Sequence, residues 1–192
     1  MAAIGLQYSV YAPLTENEVT GVATYGTGKT GRKLIKADIK INTTDSPLYA
    51  DDTLCENAKE FTDGTLTINQ DDLPDAMRKD FLGNTTKSIE IGEETLQELV
   101  SKDIDVQPYF GLGFIQSKKV DGARKYRAIF FPKVQFGEPD ESAETKSKSI
   151  AWQTPSIIGT IMRRIDGVWK EEVTVDLLAT AIAYLKLKAN IT

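Results

Sequence analysis

The chain has 192 residues, of which 41% are hydrophobic and 27% are charged, a composition typical of folded globular proteins and not of disordered or fibrous ones. Its 23 basic and 28 acidic side chains give a net charge of −5, which argues against non-specific affinity for nucleic acids or anionic membranes and favours proteins as partners. The absence of histidine excludes Ser-His and Cys-His nucleophiles and the commonest metal ligand, so we expect no enzyme activity, no cofactor and no metal site.

The single cysteine and the lengths of the apolar runs indicate the cellular compartment in which the protein is expected. The single cysteine, Cys55, cannot form an intrachain disulfide, which fits a reducing environment. Residues 1–10 lack the basic and apolar regions of a signal peptide, and the longest apolar stretch, 177–187, is too short to span a bilayer. We therefore expect a soluble protein that is made in the cytoplasm and does not engage a membrane.

The first predicted element is a strand over residues 33–42. Ile35, Ala37, Ile39 and Ile41 alternate there with polar residues, which is the period of a half-buried strand. The alternation stops after Asn42, and proline and aspartate interrupt residues 43–57, which predicts an unusually long loop.

A second strand and a helix follow directly. Residues 61–69 alternate around Leu66 and Ile68, and the Asp63-Gly64 step predicts a bulge or turn. A helix is predicted over 71–83, with Asp71 or Asp72 as its cap and Gly83 as its left-handed end. Leucines in 93–101 share one helical face and predict a second helix.

The second half of the chain predicts a long hairpin and a terminal helix. Residues 108–114 and 125–136 are rich in aromatic and β-branched residues, with Asp121-Gly122 between them. Gly111 and Gly113 leave one face of the first strand nearly bare, which lets another group approach closely. The remaining predictions are a mobile loop over 138–148, a strand over 149–162 broken by Pro155, a turn at Asp166-Gly167, and a helix over 176–188 capped by Asp176. The whole is α+β and mainly β.

One segment imitates a phosphate-binding loop. Residues 23–30 read A-T-Y-G-T-G-K-T, in which backbone amides and Lys29 would hold phosphates. Such a loop must open a helix, but the residues after Gly31-Arg32 alternate as a strand. A glycine- and threonine-rich connection is the better interpretation, and a nucleotide-handling enzyme stays as the alternative from another class.

Charge is unevenly distributed along the chain. Residues 45–75 contain nine acidic side chains and one basic, whereas residues 116–133 contain six basic side chains and one acidic. An acidic loop and a basic hairpin on one chain can meet across copies in a head-to-tail contact that closes into a ring or extends into a filament. Two solvated surfaces of opposite sign are the other interpretation.

Several motifs, in this order, resemble the major tail proteins of long-tailed, non-contractile phages and prophages of Gram-positive bacteria. The resemblance covers residues 43–167, about two-thirds of the chain, and none of its pieces is a chemical signature. The motifs are S-P-L-Y-A-D-D at 46–52, D-G-T-L-T-I at 63–68 followed by D-D-L-P-D-A-M-R-K-D-F-L-G at 71–83, Y-F-G-L-G-F at 109–114, P-K-V-Q-F at 132–136, E-S-A-E-T-K-S at 141–147 and D-G at 166–167.

The resemblance implies a tail tube protein with a β-sandwich or barrel-like fold, a flanking helix and a long loop. Residues 1–175 would form the tube domain and residues 176–192 a helical extension. Copies would assemble into stacked hexameric rings whose inner strands form one barrel around a channel that DNA crosses without specific binding. The other partners implied are the tape measure protein, the tail terminator and baseplate or tail-tip proteins, and the location implied is the virion tail.

Charge and resemblance together assign candidate residues to two surfaces. Contacts between copies are predicted at Leu48, Tyr49, Asp51 and Asp52 in the long loop and at Lys118, Lys119 and Arg124 in the hairpin. Inner-barrel positions are predicted at Tyr109, Gly111, Gly113 and Arg127. The alternatives are a tube protein of a contractile tail, of a phage-derived bacteriocin or of type VI secretion, and a monomeric β-sandwich module that binds carbohydrate or protein.

Overall fold

The computed structural model describes residues 3–142, 145 and 153–192, and these form a mainly antiparallel β protein with two helices, which confirms the predicted fold class. The strands are β1 (Ala3–Asn17), β2 (Val22–Tyr25), β3 (Lys29–Thr30), β4 (Leu34–Ala50), β5 (Thr53–Gln70), β6 (Thr85–Ile91), β7 (Glu94–Val100), β8 (Tyr109–Val120), β9 (Ala123–Phe136), β10 (Ser156–Met162) and β11 (Glu171–Val175). The helices are α1 (Asp75–Leu82) and α2 (Leu178–Lys188), and neither is long and apolar enough to cross a membrane.

Nine strands form one sheet in the order β2-β1-β8-β9-β10-β5-β4, with β3 paired to β1 and β11 paired to β9. Strand β9 has two neighbours along one edge, because β11 pairs with its residues 126–130 and β10 with its residues 133–136. Pro132 lies between the two ladders, where a residue without an N–H donor interrupts pairing at no cost. The sheet therefore divides at Pro132 into two halves.

The main hydrophobic core lies between these halves. Leu66 and Ile68 of β5 face Phe110, Leu112 and the other inward residues of β8 and β9, as their alternation predicts. Helix α1 completes this core with Phe81, whose ring stacks on that of Phe136 with centroids 4.2 Å apart. Burial of these aromatic rings is the largest favourable contribution to the fold.

A second core covers the opposite face of β1, β8 and β9. Ala181, Leu185 and Ala189 of the C-terminal segment are fully buried there against residues such as Ala128 and Phe130. Their spacing of four places these residues on one helical face, where the small side chain of Ala181 lets α2 approach the sheet closely. The segment 176–192 is thus packed onto the sheet of the same chain, and strands β8 and β9 are buried on both faces.

Helix α1 is confirmed, but its predicted cap is wrong. The helix begins after Pro74, and no side chain caps it. The Asp71 carboxylate instead accepts the Lys33 N–H at 3.2 Å and lies 3.4 Å from Arg32. Gly83 ends the helix at φ 72°, as predicted, since glycine adopts this conformation without strain.

Two predicted elements are corrected. Residues 43–57 are not a loop, because β4 runs on to Ala50 and β5 begins at Thr53, and only Asp51-Asp52 separate them. Both faces of this ribbon are exposed, so nothing selects alternating apolar residues, and Pro47 is tolerated because β4 is an edge strand. Residues 94–100 are strand β7 and not helix, paired with β6 in a separate two-stranded sheet.

The other predicted elements agree with the structure where it describes them, except that Ile35 is 56% exposed, because the register of β4 shifts between Leu34 and Lys36 and Leu34 packs against the main core in its place. The hairpin of β8 and β9 turns at Asp121-Gly122, and a bulge at Thr62 interrupts β5 next to Asp63-Gly64. Helix α2 is present, but Leu177 precedes it and Asp176 does not cap it. Part of the predicted loop over 138–148 and the start of the predicted strand over 149–162 lie outside the described residues.

Candidate interaction site

The most prominent surface feature is the distal half of the β4–β5 hairpin, residues 43–60, which we call the arm. Its strands pair from Thr43 opposite Phe61 to Ala50 opposite Thr53, and every residue from Asn42 to Glu60 is exposed. Eight residues per strand at about 3.3 Å each give it a length of about 25 Å. The arm is therefore a two-stranded ribbon that extends away from the sheet.

The arm begins where the inward apolar residues end. Ile39, Ile41 and Phe61 pack against the main core, and beyond them neither strand carries a residue that reaches it. At its root the Phe61 ring stacks on Trp169, with centroids 4.5 Å apart and the planes nearly parallel. This contact ties the arm to the segment before β11 and sets the direction in which it leaves the sheet.

The far end of the arm, residues 48–55, is the arm tip. It turns at Asp51 and Asp52, which lie at φ 50° and 59° in the left-handed region. Two residues of positive φ are what a tight two-residue hairpin turn requires, and aspartate tolerates this region better than most residues do. This turn was not predicted, because its usual signature is asparagine-glycine or aspartate-glycine and neither occurs here.

The arm tip combines apolar side chains with negative charge. Leu48, Tyr49 and Leu54 are 58%, 65% and 55% exposed, and Tyr49 is paired directly with Leu54. The arm carries five acidic residues against one basic, Lys59, which lies 3.7 Å from Asp45. Four predicted contact residues, Leu48, Tyr49, Asp51 and Asp52, thus lie together at one exposed end.

The other three predicted contact residues lie at the end of the β8–β9 hairpin, residues 117–126, which we call the basic tip. Lys118 is paired with Lys125 and Lys119 with Arg124, so like charges stand directly opposite each other. Such pairs destabilise a ribbon unless anions lie nearby. In the described part of the chain one of the four is in an ion pair, Lys125 with Asp176 at 2.9 Å. The basic tip therefore presents uncompensated positive charge to an acidic partner.

The predicted inner-barrel residues do not share one exposed surface. Gly111 and Gly113 are buried, and a Cβ on them would come within 2.6 Å of Phe130 and 2.8 Å of Leu185 respectively. The bare face that these glycines create is filled by side chains of the same chain. Tyr109 is partly exposed beneath the Lys133 ammonium group, and Arg127 is paired with Glu172 of β11.

The second sheet, formed by β6 and β7, is another exposed ribbon that the sequence did not predict. Ile89 is paired with Leu96 on one of its faces, beside Ile91, which is 61% exposed. The threonines and isoleucines of β6 could have predicted this strand from the sequence, since β-branched residues favour strands. This ribbon carries no constellation of reactive side chains.

The segment that imitates a phosphate-binding loop has a structural role. Residues 22–30 form the short strands β2 and β3, and strand β4 follows where the motif needs a helix. The Lys29 ammonium group donates to Asp80 at 2.6 Å, and Gly28 packs against the backbone of Ala189. Without a helix N-terminus the segment lacks the electrostatic basis for holding phosphate.

The partly buried polar network around Tyr25 also has a structural explanation. Burial raises the pKa of Tyr25, and its hydroxyl donates to the Pro132 carbonyl at 2.9 Å and accepts from Arg164 at 3.2 Å. The hydrogen bond from Arg164 holds the pKa of Asp166 below its usual range. The network fixes the turn at Asp166-Gly167 against β9. In the described residues no group of three Cys, Asp or Glu side chains could hold a metal ion.

No protein-family model matches this sequence, and a comparison with curated proteins finds no match. The function is therefore inferred from the exposed surfaces of the protein. Among the described residues, the features that depart from an ordinary folded domain are the arm and the basic tip.

Proposed function

We propose that the chain is a self-assembling structural protein, the tube protein of a long non-contractile phage tail. Its copies would form hexameric rings that stack into the tail tube through which DNA passes. The proposal places the protein in the virion tail, with the tape measure, terminator and baseplate or tail-tip proteins as further partners. The resemblance of the ordered motifs between residues 43 and 167 supports this proposal, and the exposed surfaces offer a physical route to assembly.

The observation that carries this proposal is the arm. A two-stranded hairpin is at best marginally stable alone in water, yet this one extends for about 25 Å without a covering element. Its tip exposes three large apolar side chains, of which Tyr49 and Leu54 are paired directly and Leu48 precedes Tyr49 on the strand. A chain that keeps such a ribbon exposed gains stability when another molecule covers it, and a second copy is the partner always present.

Opposite charges on the same chain support contacts between copies. The arm is acidic and the basic tip is cationic, and the two are different surfaces of one molecule. A contact between unlike surfaces is head-to-tail, and repetition of that contact produces closed rings or filaments rather than isolated dimers. A tube of stacked rings combines closed rings with a filament-like repeat along the tube.

Negative-stain electron microscopy of the purified chain over a concentration series tests the proposal, with light scattering on the same samples. We expect rings or hollow tubes with six-fold end views, and a scattering mass that rises with concentration. A monodisperse monomer at every concentration, and also after addition of tail-tip and tape measure proteins, would contradict the proposal. That result would favour a monomeric β-sandwich module.

Charge reversal at the basic tip is expected to weaken assembly in a salt-dependent way. The change is Lys118→Glu, Lys119→Glu and Arg124→Glu together, measured as tube yield by sedimentation at low and high salt. Because the Debye length falls from about 10 Å at 0.1 M to about 3 Å at 1 M salt, the difference from the unaltered chain is expected to shrink as salt rises.

The matched control reverses three exposed lysines elsewhere, Lys33→Glu, Lys87→Glu and Lys102→Glu, which changes the net charge by the same amount. We expect this control to assemble better than the basic-tip variant at low salt. Equal yields from the two variants would show that net charge, and not the basic tip, governs association.

A further inference from the structure

The arm tip has a chemistry that a receiving surface must match. Leu48, Tyr49 and Leu54 offer apolar area that is more than half exposed, and the Asp51 and Asp52 carboxylates follow at the turn. A surface that buries the tip needs an apolar concavity for the side chains. It also needs cations at its rim, because carboxylates brought into contact with apolar surface without a partner lose hydration.

One cleft of this chain has both properties. It lies between β1, the C-terminal end of α1 and the segment that leads into β8, and its volume is about 370 Å³. Pro13, Pro108 and Phe110 supply apolar lining, and Lys29 and Lys79 stand at its margin. The volume is at the lower end of the roughly 300–1,000 Å³ of pockets that hold ligands, which suits one or two side chains.

The charge at the margin of this cleft is positive on balance. Asp80 is its acidic residue, and it accepts hydrogen bonds from the Lys29 ammonium group at 2.6 Å and the Tyr11 hydroxyl at 3.2 Å. Lys79 is exposed and donates to the Thr86 hydroxyl at 3.1 Å, so no carboxylate neutralises it among the described contacts. Lys79 is thus available to a carboxylate from outside.

We propose that this cleft receives the arm tip of a second copy of the chain, with Tyr49 or Leu48 in the apolar part and Asp51 or Asp52 at Lys79. The inference rests on the proposed self-assembly and names the surface that the arm occupies. The basic tip is the end of a ribbon that carries cations, and it would meet the acidic residues of the arm outside its tip, Asp45, Glu56 and Glu60, rather than receive the apolar arm tip. Three exposed apolar side chains favour the cleft.

Disulfide trapping tests this contact, because Cys55 is the only cysteine of the chain and belongs to the exposed arm tip. A second cysteine is introduced at the cleft by Thr27→Cys or Lys79→Cys, or at the basic tip by Lys119→Cys. A disulfide requires the two Cα atoms to lie within about 7 Å. Assembled samples are oxidised briefly and separated without reductant. We expect a ladder of covalent oligomers from both cleft variants, at yields at least five-fold above the basic-tip variant.

Two controls make the result decisive. Each variant is repeated with Cys55→Ser, and loss of the ladder shows that the bond joins the arm to the new cysteine. Thr27→Cys keeps both cationic residues of the cleft, so its ladder does not depend on removing Lys79.

A charge exchange supplies a second readout. Lys79→Glu is expected to reduce assembly, and adding Asp51→Lys and Asp52→Lys to the same chain is expected to restore it.

The outcomes separate this inference from the proposed function. Rings or tubes that cross-link through the Lys119→Cys variant and not through the cleft variants overturn the cleft as the receiver and leave self-assembly intact. Absence of association in every sample overturns both. A ladder from the cleft variants together with rescue by the charge exchange supports the contact as stated.

Discussion

Shortening the arm is expected to abolish tube formation and leave a folded chain. The change replaces Leu48–Glu56 by an Asn-Gly turn, so that Pro47 and Asn57, which already face each other, close a two-residue hairpin. The change removes the whole arm tip but none of the two hydrophobic cores. We expect tube yield to fall at least ten-fold by electron microscopy and sedimentation.

The stability of the shortened chain distinguishes loss of assembly from loss of folding. Exposed hairpin ends contribute little to a core, so the free energy of unfolding is expected to change by about 1 kcal/mol or less in urea. The matched control keeps the arm length and replaces Thr44→Ser and Thr53→Ser, both exposed arm residues outside the apolar cluster. Tubes from the shortened chain at the yield of this control would show that the arm is dispensable.

Leu185→Ala is expected to produce a large loss of stability. Leu185 is fully buried on α2 and packs in the second core, where its side chain approaches Gly113 of β8. Truncation of a buried leucine removes apolar contact and leaves a cavity, which costs about 2–5 kcal/mol. Urea unfolding followed by circular dichroism, at a concentration below that of assembly, measures the loss without a contribution from association.

Leu187→Ala is the matched control for this measurement. Leu187 lies in the same helix but is 78% exposed, and alanine favours helix at either position. We expect its unfolding free energy to stay within about 0.5 kcal/mol of the unaltered chain. If the two substitutions cost the same, α2 would not be part of the core in solution, and residues 176–192 would behave as a detachable extension.

The sequence predicts well those elements that have one buried face. Ile39 and Ile41 in β4, and Leu66 and Ile68 in β5, alternate because one side of each strand must enter the core. Gly83 marks the end of α1 because its left-handed conformation suits glycine. In these places the local pattern and the tertiary structure impose the same requirement, so local pattern was sufficient.

The strands of the arm were not predicted because neither face of the arm is buried, so its sequence lacks alternating apolar residues. Its backbone pairing is continuous, but both faces are exposed, so proline and aspartate occur where a core-facing strand would carry valine or isoleucine. The helix predicted for residues 94–100 was wrong for a related reason, since Leu96 and Leu99 fit a helical face as well as a strand. In both hairpins, what determines the strand structure is pairing with the partner strand, which the local sequence pattern does not show.

The candidate site was predicted in part. The order of charges along the sequence located the arm tip and the basic tip, because charge needs no knowledge of the fold. Gly111 and Gly113 predicted a nearly bare strand face that another group approaches closely, but the sequence did not reveal that Phe130 and Leu185 of the same chain are those groups. A sequence shows that room exists beside a glycine, but only the packed fold shows what occupies it.

The two cores are complete within a single copy, and this has a consequence for how such a protein can change. No buried core position lies on the arm, whose residues are all exposed. Under the proposed self-assembly, substitutions in the arm would change how strongly copies associate while the fold of each copy is preserved. The strength of association and the stability of the subunit would then depend on different residues, so each could change almost independently of the other.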